Sequence, residues 1–275
     1  MANYLSPQEI TDYTSTGGVN KVNRSFLLVF LMAIMAGVYI ALGGFASSVA
    51  AHDIANKGVA KLVTGAVFPI GLMFVVINGA DLFTGNCLII ISTLEKRTKW
   101  SGFIKNLFIV LAGNFVGAIA IAFLVANSGM LDISDGRFGA YVIKTAVGKC
   151  NLEFGEALSL SILCNIYVCA GIWMIYAAKD ITGKVLAGFF SIFAFAISGA
   201  EHIVANMFYI PTALFVKNNA EYMELAHATA DQLSWSKFLV NNALPVTIGN
   251  IIGGVFIGGM YYLIYKKLTK PSDVK

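Results

Sequence analysis

Two short stretches place ionisable and hydrogen-bonding side chains inside otherwise apolar runs. GADLFTGN fills residues 79–86 and GAEHIVAN fills residues 199–206, 120 residues further on. Each reads Gly-Ala, an acid, four further residues and an asparagine. Thr84 and His202 are the members able to contact a passing solute: the hydroxyl is an uncharged donor and acceptor, and the imidazole can also carry a proton. His202 is the one histidine of three within a long apolar run, while His52 and His227 fall in loops. The residues around His202 leave its charge open. Asp81 and Glu201 are the matched acids. In a pore they would repel anions; behind an unwound loop they would accept bonds from free backbone amides, and they are read as such braces, together with Asn206. Thr84 could equally cap its own loop.

The surrounding composition decides where such residues sit. Of 275 residues, 57% are hydrophobic and 12% charged, about half the charged share of a soluble domain. Spans long enough to cross a bilayer as helices are read at 25–48, 64–94, 104–127, 154–177, 184–217 and 240–265. The chain is therefore expected to be an all-α integral membrane protein with one transmembrane channel domain and a lipid bilayer around it. Residues 1–24 lack the pattern of a cleavable signal, and Ser6, Pro7 and Glu9 spell the start of a short surface helix. Residues 266–275 form the tail. Lys21, Arg24, Lys96, Arg97, Lys99, Lys105, Lys179, Lys184, Lys266, Lys267, Lys270 and Lys275 fall on the side of the two termini, which is most of the 19 basic residues. That bias places both termini in the cytoplasm of a plasma or inner membrane.

A second motif repeats in the same order: GNFVG at 113–117 in the third span and GNIIG at 249–253 in the sixth. Three spans per half, an odd number, invert the second half (154–265) relative to the first (25–127). The second and fifth spans are overlong and carry the polar motifs, so both are expected to break near mid-membrane. Irregular backbone is tolerated there only when buried in protein or lining a cavity. Glycines four apart let helices approach closely, and Asn114 and Asn250 are placed to bond to the broken backbone.

Several functions are excluded. No HExxH, GxSxG, P-loop or paired-carboxylate pattern occurs, so no enzyme activity or cofactor is expected. Cys87, Cys150, Cys164 and Cys169 lack metal-ligand spacing and read as packing residues, and no basic aromatic stripe points to nucleic acid. A neutral-solute channel of the water or glycerol type remains the alternative that an inverted repeat allows, although neither loop carries Asn-Pro-Ala. A membrane scaffold would leave the polar residues without a purpose.

The stretches GADLFTGN, ILCNIYVCAGIWM (162–174), SGAEHIVANMFYIP (198–211) and NNALPVTIGNIIGG (241–254) resemble the formate/nitrite transporter family over about residues 20–267, most closely its clostridial hydrosulfide channel branch. The resemblance implies an aquaporin-like protomer with its own pore, five protomers per assembly, and passage of small monovalent anions (formate, nitrite or hydrosulfide). A bare anion loses hydration among apolar pore walls, so a proton or a hydrogen bond from His202 is expected to ease its passage. The resemblance also implies that Thr84 and His202 face each other at the pore centre. Phe68 and Phe195 would form the outer constriction, and Leu72, Leu82 and Phe83 the inner one. Lys149 and Asn165 would draw the anion in, and Glu201 would hold the loop bearing His202. Without the resemblance, the phenylalanines would be read as core. Gly85 and Asn86 depart from the small polar pair expected after the loop threonine of formate members, which argues against formate as the main substrate.

Overall fold

The computed structural model describes residues 4–269, so Lys270 and Lys275 of the basic set above lie outside them. The chain starts with α1, Pro7–Asn23, capped as its sequence suggests: Ser6 and Glu9 exchange side-chain bonds with each other's backbone amides. This helix is not a surface feature, because Ile10, Thr14, Ser15 and Gly18 are buried against the body of the protein.

The first half continues with α2 (Phe26–Ala51), then α3 (Lys57–Val67) and α4 (Ile70–Ile77), which together form one crossing bent at Phe68–Pro69. After a break come α5 (Phe83–Asn86), a single 3-10 turn and α6 (Ile90–Leu94), and then α7 (Trp100–Ala126). The link to the second half contains a helix that span-length reasoning missed, α8 (Arg137–Cys150). The second half runs through α9 (Phe154–Ala177), α10 (Ile181–Ser198), a second break, α11 (Ile203–Val216), a short α12 (Ala220–Leu225), α13 (Trp235–Lys237) and α14 (Leu244–Tyr262). Two π-helical segments, Phe238–Ala243 and Leu263–Leu268, extend α14 at both ends.

Six candidate crossings result: 26–51, 57–77, 100–126, 154–177, 181–198 and 230–268. The second therefore begins at Lys57 rather than residue 64, and its break at 78–82 leaves Phe83–Leu94 as a separate half-helix. The fifth ends at Ser198, and the stretch assigned to its far half is the half-helix Ile203–Val216. The sixth starts ahead of residue 240 because the π segment carries the helix back to Trp235.

The two halves pack alike. A Cβ on Gly37, Gly113 or Gly117 would strike backbone of the facing helix in the α2/α7 pair, and on Gly249 or Gly253 in the α9/α14 pair. Glycine lets these backbones touch, and each contact lies beside an asparagine that reaches a break. Polar side chains at membrane depth are thus held where glycines bring two helix backbones into contact.

Candidate transport site

Both breaks start the same way. Gly79 and Gly199 take φ of +76° and +73°, a left-handed conformation that only glycine adopts without strain, and so they end α4 and α10. The chain then runs extended to Leu82 and His202, which serve as N-caps of α5 and α11. Two helix N-termini, each with free amides and positive dipole, therefore begin inside the protein.

One asparagine per half holds each break. Asn114 donates to the carbonyl of Asp81 (3.0 Å) and of Ala33 (2.7 Å), and accepts the Phe83 amide (2.9 Å). Asn250 donates to the carbonyl of Glu201 (3.0 Å) and of Ser161 (2.8 Å), and accepts the Ile203 amide (3.0 Å). Both sides of a break are satisfied by one amide side chain, and its neighbouring glycines bring it close enough.

The acids do something other than was expected. Asp81 binds no backbone amide through its carboxylate; it pairs with Lys21 and Arg24, each at 2.9 Å. Glu201 pairs with Lys149 at 2.6 Å and accepts from the side chains of Asn206 (2.6 Å) and Asn242 (3.2 Å). The reason is electrostatic: a carboxylate taken out of water needs a full opposite charge, whereas an amide carbonyl suffices for backbone. Burial alone lowers the pKa of Lys21, yet Asp81 beside it outweighs this and holds the ammonium above the usual lysine value.

The arrangement is duplicated beyond the loops. Lys21 precedes Phe26 of α2 by the same five positions that separate Lys149 from Phe154 of α9. Asn86 bonds Asn106 (2.9 Å) as Asn206 bonds Asn242 (2.8 Å). α8 is therefore the counterpart of α1, one at each end of the molecule.

At the centre, the His202 imidazole and Thr84 hydroxyl stand 3.0 Å apart, both buried. His202 Nδ1 accepts the amide of Ala205 at 3.2 Å, so it caps α11 with a lone pair. The hydrogen-bond pattern thus assigns the neutral ring's proton to Nε2, which donates to Thr84. Glu201 does not touch the ring: its oxygens are taken by Lys149, Asn206 and Asn242.

Cavities open on both sides of this pair. On the α8 side, about 280 Å³ is lined by Phe68, Phe195, Lys61, Lys149, His202 and Asn206. The Phe68 and Phe195 rings meet at 5.8 Å, and Phe195 packs edge-on to His202 at 6.0 Å. On the α1 side, about 230 Å³ is lined by Leu72, Leu82, Lys21, Arg24 and Asp81. A neighbouring space of about 270 Å³ lies beneath α1, whose Tyr13 packs edge-on to Tyr176 at 5.0 Å. Phe83 is buried behind the walls of these cavities.

Of the two residues assigned to anion attraction, Lys149 lies at a cavity and Asn165 does not. Asn165 lies outside the cavity walls and donates to the carbonyls of Thr84 (3.2 Å) and Asn250 (2.6 Å), tying the two halves together. Lys149 does line the α8-side cavity, with its charge matched by Glu201. Lys61, which sequence reasoning passed over, lines the same cavity and makes no ion pair among the described residues. Lys21, Arg24, Asn106 and Asn242 were missed as well. Their signal was present as a lysine five positions before each half's first span and asparagines eight apart in each half's third.

Two inverted sets of crossings, two half-helices meeting at a polar pair, and a cavity on either side define a multi-pass membrane protein of the channel or carrier class. The chain belongs to the formate/nitrite transporter family, whose profile matches residues 8–264. It is 36% identical over 264 residues to the formate channel FocA of Haemophilus influenzae, covering 94% of this chain and 93% of that protein. A solved pentameric formate channel with formate bound superimposes with a TM-score of 0.77 at 33% identity, covering 88% of this chain and 98% of that one. A solved ion channel of the same family gives a TM-score of 0.81 at 26% identity, covering 93% and 98%. The family consists of channels and transporters rather than enzymes.

Proposed function

We propose that this protein conducts small monovalent anions through each protomer, between the α8-side and α1-side cavities and past Thr84 and His202. The observation that carries the reading is the Thr84–His202 pair at 3.0 Å, buried between two cavities, with the His202 Nε2 free of the α11 cap that occupies Nδ1. A bare anion that leaves water for the apolar side chains of Phe68, Phe195, Leu72 and Leu82 loses several kcal/mol of hydration. The N-termini of α5 and α11 offset part of that loss. Lys61 and the Lys149–Glu201 pair set the potential of the α8-side cavity, with Lys61 as its uncompensated charge.

His202 supplies the remaining step. Its Nε2–H swings from Thr84 to the anion as a hydrogen bond. A neutral imidazole cannot give up that proton without becoming an imidazolate, so proton transfer to the anion requires a doubly protonated ring. That state forfeits the Ala205 bond, because Nδ1 then has no lone pair. Proton linkage is therefore a second regime, in which the anion crosses as its neutral acid.

Finer assignments follow from the relatives and the charge pattern. The formate named for the relatives makes it the first substrate to try. Gly85 lines the α1-side cavity, where an added Cβ would meet Ile172, and nitrite and hydrosulfide stay in the set as small monovalent anions. Five protomers per assembly and cytoplasmic termini complete the proposal, with the whole chain as one channel domain. The test is uptake of formate, nitrite and hydrosulfide into liposomes, with glycerol-driven swelling as the control. Saturable or pH-dependent flux of at least one anion without glycerol entry supports the reading; glycerol entry without anion flux overturns it.

A further inference from the structure

At the α1 end, the last turn of α6, the 95–99 loop and the final helix border a surface cavity of about 410 Å³ that shares no lining residue with the cavities beside Thr84 and His202. Its polar lining is four basic side chains, Lys96, Arg97, Lys266 and Lys267, with one acid, Glu95, and the ring of Tyr262. Glu95 is already engaged: it meets Lys266 at 3.0 Å and Arg97 at 3.8 Å, and accepts the Ser15 hydroxyl. Lys266 also pairs with Asp12 of α1. Lys96 and Lys267 are exposed and have no carboxylate partner among the described residues. The Lys267 ammonium stands 5.8 Å over the Tyr262 ring.

The backbone adds a second observation. Lys96 has φ of +60°, the left-handed position after a helix that glycine ordinarily fills, and its amide is fixed to the Thr93 carbonyl at 3.0 Å. A lysine is held there against its own preference. The surroundings add a third. The cavity lies where the half-helix Phe83–Leu94 and the crossing 230–268 both end, the level at which acyl chains give way to headgroups. Leu263, Ile264 and Leu268 on the final helix are exposed beside it.

We propose that this cavity binds the phosphate of an anionic phospholipid, with Lys96 and Lys267 as its principal partners and acyl chains lying along Leu263 and Ile264. Lys96 and Lys267, left without carboxylate partners among the described residues while Glu95 and Asp12 answer Lys266 and Arg97, select a negative headgroup, and the exposed apolar flank distinguishes a lipid from a free anion. Through Lys266 and Arg97, the occupied site also borders the contacts that hold α1.

The test uses the full chain reconstituted in vesicles of phosphatidylcholine and phosphatidylglycerol, with retained lipid read by native mass spectrometry. The native protein is expected to retain phosphatidylglycerol preferentially. Lys96→Gly combined with Lys267→Gln should weaken that retention roughly 30-fold, roughly fivefold for each basic residue at an anionic surface. Lys96→Gly relieves the left-handed strain, so assembly should survive, and Lys96→Arg with Lys267→Arg should restore the preference. Should the double variant not assemble, Lys267→Gln alone gives the reading. Unchanged phosphatidylglycerol retention in an assembled variant overturns the proposal. So does displacement of the lipid by millimolar inorganic phosphate, which would mark a site for free anions.

Discussion

Each acid in the breaks is matched to a cation from a distant element, and that sets the cost of removing either partner. The Glu201 side chain is 5% exposed and that of Lys149 17%, so Lys149→Ala leaves a buried carboxylate unpaired. Such a loss costs about 3–5 kcal/mol. The expected outcome is an assembly that dissociates at much lower denaturant than the native protein, while Lys149→Met with Glu201→Gln recovers most of the difference. Equal stability of the single and double variants would count against the pairing. Asn114 and Asn250 were readable from the duplicated GNxxG motifs because identical residues recur in the same order, whereas Thr84, whose counterpart is Val204, stood out only as a polar residue in an apolar run. Lys21 recurs as Lys149 five positions before each half's first span, but its pairing was not legible because Asp81 lies 60 residues away.

At the scale of elements, crossings were legible and their ends were not. Hydropathy registers an apolar run but does not register a helix such as α8, which buries Phe138, Val142 and Ile143 on one face and carries Lys144 and Lys149 among its turns. The boundary shifts in the second and sixth crossings have the same origin: polar residues such as Lys57, Lys61 and Lys237 are helical here while lowering the local hydropathy. Contacts between elements make a sharp prediction. Gly117→Ala would drive a methyl into the Ile34 backbone, which cannot move aside as a side chain could, so a loss of about 1–3 kcal/mol and poor assembly are expected. Gly259→Ala in α14 meets nothing within 4 Å and should assemble normally, which thermal dissociation of the two purified variants would check.

For the whole molecule, the charge distribution predicts orientation. All four native cysteines are buried, so an introduced thiol reports on its own site. Ser128→Cys, in the link before α8, should react with a membrane-impermeant maleimide added to intact cells. Thr98→Cys, in the basic loop before α7, should react only after the membrane is opened. The reverse pattern would place the termini outside.

The central claim, that the anion passes Thr84 and His202, is tested most directly by comparing formate uptake into liposomes by the native protein and His202→Ala, at equal amounts of intact oligomer. Loss of a hydrogen bond to a charged group, about 1.5–3 kcal/mol, predicts uptake roughly 10- to 150-fold slower. Native-rate uptake through His202→Ala, with unchanged dependence on pH, would mean that the path runs elsewhere.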